Sequence, residues 1–281
     1  MPSAVADMFR RAAEMIRRDP RRKGNVIQLP GPCDVVVSGD LHGNRAALDK
    51  IIRCAALART KQTHLVLQEV IHGPHEDNGR DRSIDVLIRA VRLAVEHPGQ
   101  VLFLMGNHDL SQATGGEIMK NGASACRDFA AGVRFAFGPD AEEVLHAAYE
   151  LLLSLPLAVR CPNKVWLSHS LPPPGCLVPE VMDVLGRPHV PEDLRRGGAV
   201  YEWTWGRGHS AEQVESLAGE LDVDFFILGH LHTDEGLEVI SPRCVAITSD
   251  SPAGCIIRLP CDRPLTAGAL AQYVKLIATL A

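Results

Sequence analysis

The stretch GDLHGN, residues 39–44, follows directly on the run DVVVS at 34–38. Three consecutive valines are β-branched and read as a buried strand. Gly39 and Gly43 then loosen the chain into a turn. Asp40 and His42 stand two residues apart in that turn, so both side chains can face one ion. Residues 44–57 resume with helical spacing. Strand, polar loop and helix thus follow one another within about 25 residues, the spacing of an α/β unit.

The same grammar recurs along the chain. An apolar run at 63–67 ends in QEVIHGP, 68–74, which offers Glu69, and a helical pattern follows at 83–96. VLFLM, 101–105, ends in GNHD, 106–109, which offers Asn107, His108 and Asp109. VWL, 165–167, ends in SHS with His169, and FFIL, 225–228, ends in GHLHTD with His230 and His232. Two further runs, 244–248 and 254–259, follow without a helix between them. Alternating strands and helices, then consecutive strands, predict an α/β protein with mixed sheets and helices outside. Ligands gather at the carboxyl ends of strands in such folds, so five polar loops on one edge predict one site. A lone histidine at a strand end is ordinarily a hydrogen-bonded core or surface residue, and that is the reading for His64, His97, His146 and His189. The set of five loops is what points to a metal.

Imidazole, carboxylate and amide ligands together suit Mn, Fe, Zn or Ni. A structural zinc site would draw on thiolates, and the eight cysteines form no CxxC pair. They read as reduced thiols of a cytoplasmic protein. The chain has 281 residues, 46% hydrophobic and 22% charged, with a net charge of −5. That balance disfavours nucleic acid as a partner. No apolar run is long enough to cross a membrane. Residues 1–24 predict an amphipathic helix, with Val5, Met8, Phe9, Ala12, Met15 and Ile16 on one face. A single domain over 25–281 is expected to follow it. The Pro- and Gly-rich stretch at 172–198 reads as a loop excursion, and 110–150 carries helical content without a legible role.

GDLHGN, GNHD, the His of SHS and GHLH resemble the motifs of the calcineurin-like metallophosphoesterase superfamily. The resemblance spans 34–260. GDLHGN, the segment WTWGRG and the stretch AITSDSPAG are most similar to the phosphoprotein phosphatase branch. The resemblance implies a mixed β-sandwich flanked by helices, in α-β-β-α layers, and two divalent metal ions. It implies that Asp40, His42 and His232 hold one ion, that Asn107, His169 and His230 hold the other, and that Glu69 bridges both. His108 would be the general acid, oriented by a carboxylate for which Asp109 is a candidate. A hydroxide shared by the ions would attack the phosphorus of a phosphorylated small molecule or phosphoprotein. Phosphodiesters and dinucleoside polyphosphates are alternative substrates, and a non-catalytic metal-binding module is the alternative outside enzymology.

The second motif departs from the family form GDxxDRG. Gln68, Glu69, His72 and Gly73 stand where it has Gly, Asp, Asp and Arg. Glutamate keeps the charge but moves the carboxylate by about 1.5 Å, one C–C bond. The missing arginine removes a bidentate grip on phosphate. Arg207 is the favoured replacement, with Arg45, Arg80 and Arg82 as further candidates. Tyr201, Trp203 and Trp205 lie beside Arg207 in sequence, as a wall of the site or as core.

Overall fold

The computed structural model describes residues 3–74, 80–120 and 122–281. The three valines at 35–37 decide the architecture by alternation. In the strand Asp34–Asp40, Val35 and Val37 enter one hydrophobic core and Val36 a second. Successive strand side chains point to opposite faces, so this strand is covered on both sides. The same split runs through Val101–Leu104, where Leu102 and Leu104 face one way and Val101 and Phe103 the other. Phe225–Leu228 repeats it. One core lies between two sheets, and the other lies between the sheets and the helices outside them. The layering is therefore α-β-β-α.

Among the described residues the smaller main sheet has the order Val274–Leu276, Cys255–Pro260, Asp34–Asp40, Thr63–Gln68, Val101–Leu104. Its last three strands are parallel, and Cys255–Pro260 runs antiparallel to Asp34–Asp40. In the larger sheet Val165–Ser168, Phe225–Leu228 and Cys244–Ile247 are parallel neighbours. The sheet ends in Leu237–Ser241 on one side, and in Ala158–Arg160, Val26–Gln28 and Arg22–Lys23 on the other. Six parallel strands thus release their loops at one edge of the sandwich. The helices Arg45–Ala55 and Ser83–Glu96 cover the smaller sheet, and Ala4–Arg17 packs on Ser83–Glu96 and Ala141–Leu152. Trp203, on the helix Ala199–Trp205, meets Trp166 of the larger sheet with ring centroids 6.0 Å apart. The segment 172–198 lies against the body. Its Val181, Val184 and Leu185 are buried, and Asn25 Nδ2 donates to Val184 O at 2.9 Å and Arg187 O at 3.0 Å.

The two sheets meet at Gly39 and Asp40. Asp40 bridges to Thr248 of the other sheet, and Gly39 N donates to Ser249 Oγ at 2.9 Å. A Cβ on Gly39 would lie 2.0 Å from Ile247 O. Backbone oxygen cannot move aside as a side chain can. Gly39→Ala is therefore expected to destabilise the protein by about 3 kcal/mol, a Tm drop on the order of 8 °C, read by thermal denaturation. A drop below about 2 °C would show that the sheets separate here without cost. No helix among the described residues is long and apolar enough to cross a membrane.

Candidate metal centre

The loops that leave the parallel strands are sewn to one another before any side chain is considered. His42 N donates to Glu69 O at 2.8 Å and Gly43 N to Val70 O at 2.9 Å. His42 Nδ1 lies 3.1 Å from Ile71 O. Among the described residues, seven other than glycine have positive φ, and four of these are His42, Glu69, His72 and His230. Left-handed backbone costs such residues about 1 kcal/mol or more each. Its concentration here marks a place where side-chain direction overrides backbone comfort.

Those directions converge. His169 Nε2 lies 3.0 Å from Asn107 Oδ1, 3.0 Å from His230 Nδ1 and 3.3 Å from Glu69 Oε1. Its other nitrogen, Nδ1, is 3.5 Å from Asp40 Oδ1. Asp40 also accepts from His230 N, at 3.1 Å to Oδ2. The second carboxylate oxygen of Glu69 turns the other way, 3.6 Å from His42 Nε2 and 4.0 Å from His108 Nε2. Glu69 Oε1 is steadied by His108 N, which donates at 2.7 Å. The longer side chain finds room because Gly106 lies beneath it, where a Cβ would stand 2.2 Å from Oε1. Asp40, His42, Glu69, Asn107, His108, His230 and His232 all line one cleft of about 290 Å³.

The electrostatics of this knot ask for a cation. Burial, then the neighbouring Asp40 and Asp109, push the Glu69 carboxyl well above its usual range. For Asp40 burial pushes upward, but the imidazoles of His169, His42 and His230 together outweigh it and hold the carboxyl well below. Burial, with help from neighbouring imidazoles, pushes His108 and His230 down. His169 Nδ1 and His230 Nε2 are buried with no hydrogen-bond partner. Imidazoles, an amide oxygen and carboxylates crowd their lone pairs together. Buried polar atoms left in that state are costly, and a divalent cation satisfies them. Two groups among the described residues have ligand atoms close enough to hold an ion: Asp40, Glu69 and His169, and His42, Glu69 and His108. The donor set fits transition metals.

Not every residue singled out in the sequence reaches the centre of this cleft. His232 lines only its rim, with 70% of its side chain exposed and Nε2 3.6 Å from Asp234 Oδ1. Asp109 turns back to cap its own helix, accepting from Gly106 N at 3.0 Å, and burial pushes its carboxyl up to about 7. The side chain behind His108 is instead His72, with the two Nδ1 atoms 2.8 Å apart. Its place in the second motif was the sequence signal that could have found it. Arg207 lines the cleft, but Arg45 lines a separate groove with Asp85, Arg89 and Arg92. Arg82 pairs with Asp85 at 2.5 Å, and the Arg80 guanidinium sits 4.1 Å over the Phe135 ring. Lys120, which the sequence did not single out, enters the cleft from the hairpin of Met119–Lys120 and Ala123–Ser124.

Residues 34–234 match the family description of calcineurin-like phosphoesterases. The chain belongs to the calcineurin-like phosphoesterase family. As a member it has phosphoester hydrolysis as its chemistry. Its fold is similar to that of a protein serine/threonine phosphatase from Saccharomyces cerevisiae, at 16% identity and a TM-score of 0.67. That alignment covers 90% of this chain and 81% of the yeast chain. It is also similar to a cold-active protein-tyrosine phosphatase of a psychrophilic Shewanella species, at 15% identity and a TM-score of 0.60, over 93% of this chain and 84% of that one. Among curated proteins, none matches in sequence.

Proposed function

We propose that this phosphoesterase is a dinuclear-metal phosphomonoesterase acting on phosphorylated proteins or small molecules. The observation that carries the proposal is Glu69, whose two carboxylate oxygens face different ligand sets. Oε1 faces His169, 3.3 Å away, and Oε2 faces His42, 3.6 Å away. Glu69 and the surrounding Asp40, His42, Asn107, His169 and His230 would hold the two ions. Mn, Fe, Zn and Ni all suit such a set. The chemistry that two divalent cations supply is Lewis-acid activation of water and of the phosphoryl group. The chain's own residues do the rest. His108 Nε2 faces the same cleft and would give a proton to the leaving oxygen, a contribution of about 10²–10⁴-fold. Arg207 and Lys120 bring positive charge to the cleft wall to grip phosphate. The protein phosphatases that share the fold support a phosphoprotein substrate. All eight cysteines are free, which supports a reducing, cytoplasmic setting.

The test is hydrolysis of an aryl phosphate by chelator-stripped protein, before and after Mn²⁺ is returned, with bound metal counted by elemental analysis. Two ions per chain and turnover only with metal are expected. One ion per chain, or turnover that survives the chelator, would overturn the dinuclear reading. Arg207→Ala and Lys120→Ala should each raise KM about 10-fold with kcat nearly unchanged, the value of one charged contact to phosphate. An unchanged kcat/KM in either variant would remove that residue from the phosphate site.

A further inference from the structure

We infer that His72 positions the proton donor His108, and does so as an imidazole whose own proton is committed to Gln112. The inference rests on the phosphomonoesterase reading above. A chain of side chains leads inward from the cleft. His108 Nδ1 lies 2.8 Å from His72 Nδ1, and His72 Nε2 lies 2.7 Å from Gln112 Oε1. Gln112 Nε2 donates to the Tyr149 hydroxyl at 3.2 Å. His72 is fully buried and Gln112 nearly so.

This network assigns the tautomers. The Gln112 amide nitrogen faces Tyr149, so its oxygen faces His72 and needs an N–H. His72 therefore carries its proton on Nε2, and its Nδ1 is a bare acceptor. One proton lies between the two Nδ1 atoms, and it must belong to His108. The nitrogen of His108 left for chemistry is then Nε2, the atom that faces Glu69 across the cleft at 4.0 Å. The proton that Nε2 gives to the leaving oxygen is one it has first taken from water in the cleft. As the P–O bond breaks, the leaving oxygen takes the Nε2 proton and departs as the neutral alcohol, and His108 is left neutral with Nδ1–H still bonded to His72. A carboxylate behind His108 would orient it too, but would add a further buried negative charge beside Asp40, Glu69 and Asp109. A neutral imidazole orients without that repulsion.

The backbone holds His72 in place for this task. Its φ is 62°, in the left-handed region. Its ring meets the Phe129 ring edge-on at 5.9 Å, and its carbonyl accepts from Lys120 Nζ at 3.4 Å. Glycine and asparagine both tolerate such a φ. Asparagine also places an oxygen near the position of imidazole Nδ1, so it can accept from His108.

The experiment compares His72→Gly and His72→Asn on two substrates, a phosphoserine peptide and 4-nitrophenyl phosphate. The alkoxide of serine needs a proton as it leaves, whereas 4-nitrophenolate does not. His72→Gly should lower kcat on the phosphoserine peptide about 100-fold and on the aryl ester less than about threefold, with KM and metal content unchanged. His72→Asn should recover kcat on the peptide to within about 10-fold of the wild type. If His72→Gly does not fold, Gln112→Met, which removes the acceptor one link further back, should give the same split between substrates. Equal losses on both substrates, no loss at all, or an asparagine variant as damaged as the glycine one would overturn the inference while leaving the phosphatase reading intact. A wild-type protein inactive on both esters would overturn the phosphatase reading, and this inference with it.

Discussion

Glu69→Gln is expected to lower kcat/KM on the order of 10³-fold and to reduce bound metal from two ions to one or none. Glutamine is isosteric, so the cradle over Gly106 stays filled and the loss reports charge alone. The same change should raise the thermal stability of the metal-free protein by a few degrees. A carboxyl whose folded pKa lies above its unfolded one opposes folding once it ionises. Burial beside Asp40 and Asp109 puts Glu69 in that position. The opposition is absent below the unfolded pKa and grows as pH rises from there up to the folded one, so it is present at neutral pH. Added Mn²⁺ should stabilise the wild type strongly and the variant weakly. Calorimetry on both proteins, with and without metal, checks all of this. A variant that binds two ions as well as the wild type would show that Glu69 is not the shared ligand. Glu69→Asp should cost less, about 10-fold, because its charge remains but its oxygens retract by about 1.5 Å.

His108→Ala should lower kcat on an alkyl phosphate by about 10²–10⁴-fold with little change in KM. On an ester with an acidic phenol as leaving group the loss should be far smaller. Metal content decides what the loss means, because His108 Nε2 stands among the atoms of His42 and Glu69 that could hold an ion. Two ions retained in the variant would mark His108 as a proton donor. One ion lost would reassign it as a ligand and remove it from proton transfer.

Much of this was legible in the chain as written. The β-branched runs announce strands because such residues pack well on a pleated surface, and the polar loops after them announce the site. Asp40, His42, Glu69, Asn107, His169 and His230 could be named from the polar loops together with the family resemblance those loops carry, and the structure brings them together. The arginines show the limit. Arg45, Arg80 and Arg82 are near the motifs in sequence, yet each points elsewhere. A long flexible side chain goes where its local partner is, and for Arg82 that partner is Asp85, three residues along its own helix.

The sequence by itself determined the elements and the ligand types, because both follow from local chemistry: side-chain branching, glycine at turns, and donors of the right softness. Only the tertiary structure decided which groups act together. The hairpin that delivers Lys120 and the helix face that sets Gln112 against His72 lie 48 and 40 residues along the chain from His72 of the second motif. Their contacts are made by packing between layers, and no local spacing encodes packing. The capping turn of Asp109 is the converse case. Adjacency in sequence offered it to His108, but a free N–H three residues back was the nearer partner, and the buried imidazole of His72 took its place.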